Sequence, residues 1–138
     1  MNWVLDCSFS AALFLPDEFS PKVRDFFANL SENDKLYVPL IWWYEITNVL
    51  IVAERKNRLN YVEVVKVTLL FEQLGIETDN TNGVPFSKEI YRLANLKKLS
   101  AYDAGYLELA IRQEATLASL DKQLLNAAVN SGVVIYEF

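Results

Sequence analysis

The sequence predicts an α/β domain in which a parallel β-sheet lies between two layers of helices. Two observations lead to this prediction. Short apolar segments with strand character alternate with longer segments of helical periodicity. At least one predicted helix separates each strand from the next, and parallel strands need such a crossover connection. The 138 residues contain no repeat, linker or change of composition, so we expect a single domain over residues 1–138.

The first half of the chain is predicted to contain two strands and four helices. Ser20 followed by Pro21 is a favourable helix start, because proline fits the first helical position. Gly75 suits the end of the fourth helix. The predicted strands are 2–6 and 35–39, and the predicted helices are 7–15, 20–30, 40–56 and 60–74.

The second half is predicted to contain three more strands and three more helices. The strands are 76–79, 116–120 and 133–136, and the helices are 84–98, 101–114 and 122–130. Asp6 and Asp121 are each expected at the carboxyl end of a strand. In open parallel sheets ligands bind outside this edge, so these two carboxylates would meet there if the first and fourth strands are neighbours.

Composition limits the class of protein. Hydrophobic residues make up 52 % of the chain and charged residues 22 %, which is ordinary for a globular domain. No apolar run approaches the roughly 20 residues of a membrane span, and the N-terminus lacks the features of a signal peptide. Cys7 is the single cysteine and cannot form an internal disulfide. We therefore expect a soluble, cytoplasmic protein without a membrane contact.

The charge pattern restricts the chemistry. The chain has no histidine, which excludes Ser-His-Asp and Cys-His nucleophile systems and histidine-ligated zinc. The net charge is −5, from 18 acidic and 13 basic residues. Without a cluster of four acids the counts would be 14 and 13, and bound divalent cations would neutralise such a cluster.

Four acids are the candidate site residues, and each has a structural alternative. Asp6, Asp103 and Asp121 could simply cap helices, and Ser100 with Asp103 has the spacing of a capping box. Glu45 follows three aromatic residues in an apolar stretch, so it must be paired, protonated or metal-bound. Its alternative is a salt bridge to a nearby Lys or Arg.

Three polar residues and a tryptophan pair complete the candidates. Asn48 lies one helical turn after Glu45 and could hold its carboxylate or a water. The hydroxyls of Ser8 and Ser119 could orient a ligand or water, or they could only pack. Adjacent tryptophans cannot share one helix face, so one of Trp42 and Trp43 is a candidate for exposure to a partner.

A carboxylate cluster favours hard cations. Oxygen ligands suit Mg²⁺ or Mn²⁺, and four acids could hold one ion or two. In hydrolysis of a phosphodiester, for example, one ion would lower the pKa of an attacking water and a second would stabilise the leaving oxygen.

Four segments carry a recognisable pattern in chain order: Val4-Leu5-Asp6-Cys7-Ser8, Tyr44-Glu45-Ile46-Thr47-Asn48-Val49-Leu50, Leu99 to Ala110 and Leu117 to Leu124. Together these segments resemble the PIN-domain nucleases, in particular the ribonuclease toxins of VapBC toxin–antitoxin pairs. Ser119 stands where that family commonly has Thr, and Cys7 stands where a small residue is usual.

The resemblance implies a three-layer α/β/α fold with strand order 3-2-1-4-5. It also implies Mg²⁺- or Mn²⁺-dependent cleavage of RNA, with the four acids as catalytic residues and metal ligands: Asp6, Glu45, Asp103 and Asp121. An antitoxin partner and a homodimer are further implications. Two alternatives stay open: a non-catalytic interaction module with this fold, and a phosphatase-like α/β protein. The second is disfavoured because no Asp-x-Asp follows the first strand. A nuclease that also cuts DNA is compatible with the same site.

Overall fold

The computed structural model describes all of residues 1–138 and has four parallel strands and seven helices. The strands are β1 (Asn2–Leu5), β2 (Lys35–Pro39), β3 (Glu77–Asp79) and β4 (Thr116–Ala118). The helices are α1 (Cys7–Ala11), α2 (Ser20–Ala28), α3 (Leu40–Arg55), α4 (Tyr61–Gln73), α5 (Val84–Lys97), α6 (Ala101–Arg112) and α7 (Lys122–Asn130). No helix combines the length and apolar character needed to cross a bilayer.

The sheet has the order β3-β2-β1-β4, so the first and fourth strands are neighbours as predicted. The register pairs Leu5 with Ala118 at the carboxyl ends of β1 and β4. The ladder continues one step further, because the Asp6 N–H donates to the Ala118 carbonyl at 2.9 Å. The residues that follow these two strands therefore begin at the same point of the sheet edge.

Helices flank the sheet and pack in two groups. Helix α6 lies against β1, β2 and β4, with α5 and α7 beside it. Helix α1 contacts α3, which contacts α4 and β2. This arrangement confirms the predicted three-layer α/β/α fold. It also brings Asp103, in the first turn of α6, and Glu45, in the first half of α3, close to Asp6.

The predicted fifth strand at 133–136 is reduced to one isolated bridge between Leu117 and Ile135. The Leu117 N–H donates to Val134 at 2.9 Å, and the Tyr136 N–H donates to Leu117 at 2.8 Å. The segment thus lies beside β4, where a fifth strand was expected. Strand β4 is only three residues long and offers little backbone for a longer ladder, and the Tyr136 ring packs against Phe26, with ring centroids 5.0 Å apart.

The tryptophan pair corrects one expectation. Trp42 is fully buried and donates to Ser10 Oγ at 3.3 Å. Trp43 is half-buried, and its indole N–H donates to Thr78 Oγ1 at 2.7 Å. The prediction of an exposed tryptophan is therefore wrong, because the edge strand covers Trp43. The exposed aromatic residue of this segment is Tyr44.

The short edge strand β3 is held by an ion-pair network. Arg112 at the end of α6 donates two hydrogen bonds to Asp79, at 3.0 and 2.8 Å, and two to Glu108. Burial alone would raise the pKa of Asp79, but hydrogen bonds from Arg112 and Thr81 together with the Arg112 charge lower it. Two parallel hydrogen bonds from one guanidinium restrain the orientation of the carboxylate in addition to the attraction between the charges. This network therefore holds the end of β3 against α6.

Candidate active site

Asp6 is the most buried of the four candidate acids, with 5 % of its surface exposed. Its Oδ2 accepts hydrogen bonds from two hydroxyls, Ser8 Oγ at 2.6 Å and Ser119 Oγ at 2.7 Å. Although Asp6 is the residue before α1, its side chain does not cap that helix. The capping alternative therefore does not account for the Asp6 carboxylate.

The two serines also join the ends of neighbouring strands. Ser8 Oγ accepts from the Leu120 N–H at 3.1 Å, and Ser119 Oγ accepts from the Asp121 N–H at 2.9 Å. Each hydroxyl thus donates to Asp6 and accepts from the backbone after β4. The polar groups beneath the site are fully paired, and the structure has no buried side-chain polar atom without a partner.

Glu45 is held by a residue that the sequence interpretation did not single out. The Tyr106 hydroxyl donates to Glu45 Oε1 at 2.7 Å, and no Lys or Arg forms a salt bridge with Glu45. Asn48 is exposed and forms no side-chain hydrogen bond to Glu45, so Asn48 does not hold that carboxylate directly, and its role toward a water stays a prediction. A tyrosine three residues after Asp103 was the available signal, since that spacing puts both residues on one helix face.

Asp103 lies in the first turn of α6. The Ser100 hydroxyl accepts from the Asp103 N–H at 3.1 Å and caps the helix. The full capping box does not form, because the Asp103 carboxylate does not return a bond to the Ser100 N–H. The Asp103 side chain is half-buried and keeps its carboxylate oxygens available.

Asp121 does act as a cap. Its Oδ1 accepts from the N–H groups of Gln123 at 2.9 Å and Leu124 at 3.2 Å, at the start of α7. One oxygen is therefore committed to the helix, whereas no hydrogen bond involves Oδ2. Asp121 thus has a structural role in addition to the charge that it places beside Asp6 and Asp103.

Replacing Asp121 separates its structural role from its charge. We expect Asp121→Ala to lower the free energy of unfolding by about 1 kcal/mol relative to Asp121→Asn, because asparagine keeps the cap. Both variants remove the negative charge, so the difference between them isolates the cap. Urea unfolding in chelator-containing buffer measures it, and equal midpoints for the two variants would show that the cap has no energetic weight.

The four acids lie close enough for their charges to act on one another. Burial raises the pKa of Asp6, and the Asp121 charge raises it further against the lowering effect of the two serines. Burial also raises the pKa of Glu45, with added repulsion from Asp6 and Asp103. Burial and then the charges of Asp121 and Asp6 raise the pKa of Asp103. Each acid is thus coupled to at least one other, and none is neutralised by a basic side chain.

The chemistry of this cluster fits a hard divalent cation. Its donors are carboxylate and hydroxyl oxygens, which Mg²⁺ and Mn²⁺ prefer. Burial, followed by the charges of Glu45 and Asp6, raises the pKa of Cys7 to about 12, so without metal the thiol stays protonated at neutral pH. No three acidic side chains are arranged to ligate one ion together. Since Mg²⁺ usually keeps several waters and takes one or two carboxylates, the arrangement fits a largely hydrated ion.

The raised pKa values predict how stability depends on pH without metal. Because the folded protein binds protons on Glu45 and Asp103 more readily than the unfolded chain, lowering the pH from 7 toward the usual carboxylate pKa of about 4 increases stability. Below that range stability falls again. Hydrogen bonds from Ser31 and Trp3 lower the pKa of Asp34 to about 2, so the folded protein loses the stabilisation from the Asp34 carboxylate as the pH falls from about 4 to 2. Thermal melts in chelator should show this maximum, and Glu45→Gln should reduce the gain between pH 7 and 5. An unchanged gain would contradict the assignment to the site.

Comparison with known proteins decides the family. The PIN domain family model matches residues 3–130, a range that contains all four acids and both serines. The chain belongs to the PIN domain family. No similar sequence was found among curated proteins.

Solved structures share the fold of this PIN domain. PAE2754 from Pyrobaculum aerophilum superposes with a TM-score of 0.70 at 20 % identity, over 98 % of this chain and 83 % of that one. VapC20 from Mycobacterium tuberculosis, a toxin that cleaves the sarcin-ricin loop, has a TM-score of 0.69 at 13 % identity, over 91 % and 94 %. VapBC-1 from nontypeable Haemophilus influenzae has a TM-score of 0.68 at 15 % identity, over 99 % and 98 %. At such identities the likeness establishes the fold.

Proposed function

We propose that this PIN domain is a divalent-metal-dependent endoribonuclease that acts as the toxin of a toxin–antitoxin pair. The observation that carries the proposal is the cluster of four mutually coupled carboxylates at the carboxyl edge of the sheet, none of them paired with a basic residue. Keeping such charges together costs folding energy. A site for cations accounts for that cost better than a structural role does.

The acids would hold Mg²⁺ or Mn²⁺ and leave room for water and a phosphate. A bound divalent ion lowers the pKa of a coordinated water and stabilises charge on the phosphoryl oxygens. Asp6 would provide the fixed ligand, because two hydroxyls orient its carboxylate. Glu45 and Asp103 face it from α3 and α6, and Asp121 contributes charge while capping α7.

The charge around the site is compatible with a polyanionic substrate only when the cluster is neutralised. Metal ions would supply that neutralisation. Two exposed lysines lie near the site acids in sequence: Lys98 precedes α6, which carries Asp103, and Lys122 follows Asp121 at the start of α7. These segments adjoin, since the Gln123 side chain donates to the Lys98 carbonyl at 2.9 Å. Lys98 and Lys122 are thus suited to contact backbone phosphates of RNA.

The proposed partners are an antitoxin and a second copy of the chain. The similarity to VapBC-1 and to the VapC20 toxin supports the antitoxin, as do the exposed apolar side chains of Ile51 and Leu69 on α3 and α4. For the homodimer, exposed Leu40 and Tyr102 line one groove of about 350 Å³. Light scattering should then give about twice the chain mass of 15.8 kDa.

A substrate panel tests the proposed reaction. Purified protein with Mn²⁺ is incubated with structured RNA, with single- and double-stranded DNA, and with a small phosphate ester. We expect internal cleavage of RNA that requires metal. Hydrolysis of the ester alone would favour the phosphatase-like alternative, and DNA cleavage would broaden the substrate class. Inactivity on every substrate, together with no binding of Mn²⁺, would favour the interaction module.

A further inference from the structure

Tyr106 is a fully buried residue with one polar contact in the site. Its side chain has no exposed surface and belongs to the core, whereas its hydroxyl reaches Glu45 Oε1 at 2.7 Å. This is the only side-chain hydrogen bond of the Glu45 carboxylate. A ring in the core does not require a hydroxyl, but a buried hydroxyl requires a partner. The pairing therefore couples a rigid core residue to one site carboxylate.

The position of Tyr106 on α6 relates it to a second site acid. Asp103 and Tyr106 are three residues apart and share one face of the helix. Helix α6 consequently carries one acid itself and holds another, Glu45, across the gap to α3. The bond joins residues 61 positions apart in sequence, and it fixes a long, flexible side chain that would otherwise turn away from the charges of Asp6 and Asp103.

We propose that Tyr106 is the positioning residue that holds the Glu45 carboxylate in place for metal binding. The inference rests on the proposed function, since it assumes that Glu45 contributes to the metal site. In this positioning role, Tyr106 contacts neither metal nor substrate. It acts through Glu45 alone, by donating to one carboxylate oxygen and leaving the other free.

Replacement by phenylalanine tests the role while keeping the packed ring. For Tyr106→Phe we expect Mn²⁺ affinity, measured by calorimetry, and metal-saturated kcat on RNA each to fall about 10- to 100-fold, the usual cost of losing a partner that orients a ligand. Tyr91→Phe is the matched control, because Tyr91 is 73 % exposed on α5 and its hydroxyl forms no hydrogen bond within the protein. It should match the wild type in both measurements. A Tyr106→Phe protein with the Mn²⁺ affinity of the control would overturn the proposal.

A double-mutant cycle keeps the test valid if the phenylalanine variant is less stable. A positioning role predicts that Tyr106→Phe lowers Mn²⁺ affinity in the wild-type background but not in Glu45→Gln. Equal losses in both backgrounds would show that Tyr106 acts through packing and would refute the proposal. If Glu45→Gln itself retains full affinity and cleavage, the assignment of Glu45 in the proposed function fails, which is a separate result.

Discussion

Asp6→Asn should reduce metal-dependent cleavage of RNA on the order of 10²- to 10³-fold, the range found when one charge-stabilising group is removed from an active site. Asp6 lies 5 % exposed in the centre of the cluster, and its charge acts on both Glu45 and Asp103. Asparagine keeps an oxygen that can accept from Ser8 and Ser119, so the fold should persist. In metal-free buffer we expect the Tm of Asp6→Asn to equal or exceed that of the wild type, because the replacement relieves repulsion among the site carboxylates.

Asp34→Asn is the control for this prediction. Asp34 lies before β2, at the opposite end of the strands, where it accepts from Trp3 Nε1 at 3.2 Å and from the Ser31 N–H at 2.8 Å. Its replacement should lower stability and leave specific activity intact. A stable Asp6→Asn protein with wild-type cleavage would contradict the assignment of Asp6, whatever the behaviour of the control.

Trp42→Ala should lower the free energy of unfolding by about 3–5 kcal/mol, as large-to-small changes of aromatic core residues do. Trp42 has no exposed surface and makes edge-to-face contacts with Trp43 and Phe71, with ring centroids 4.8 and 5.1 Å apart. Because small domains have only about 5–15 kcal/mol of stability, part of the population should be unfolded at 37 °C. Urea titration followed by circular dichroism measures the loss.

The neighbouring aromatic residue provides the comparison. Tyr44 is 71 % exposed, so Tyr44→Ala should change the free energy of unfolding by no more than about 0.5 kcal/mol. A similar loss for the two variants would mean that helix α3 is rotated relative to the arrangement described above. A rotated α3 would also place Glu45, which follows Tyr44 directly, away from the other acids.

Local signals determined the parts of the fold that the sequence predicted well. Helix α7 has the predicted bounds, since Asp121 caps its start. Helix α4 begins one residue later than predicted, because Asn60 is its cap and forms a capping box with Glu63. Strand β4 ends at Ala118 rather than residue 120, because the Ser119 side chain turns into the site and bonds to Asp6.

Long-range contacts determined the parts that the sequence did not predict. The Tyr106–Glu45 bond joins two helices, and a pattern within either helix cannot reveal it. The burial of Trp43 likewise depends on Thr78 in the edge strand. The proximity of Asp6 and Asp121 was predictable because both follow strands, and the parallel register brings such positions together. The individual hydrogen bonds at the site required the structure.

In the proposed function, the carboxylate cluster cleaves RNA with a divalent ion. The most direct test compares chelator-treated wild type with Asp103→Asn on end-labelled structured RNA, before and after Mn²⁺ or Mg²⁺ is restored. Asp103 suits this test because the Ser100 hydroxyl caps α6 by accepting from the backbone N–H of residue 103. Replacing the Asp103 side chain by asparagine therefore leaves the cap intact. We predict cleavage by the wild type only, and only after metal is restored. Equal cleavage by the folded variant, or cleavage by the wild type in excess chelator, would contradict a metal-dependent reaction at this carboxylate cluster.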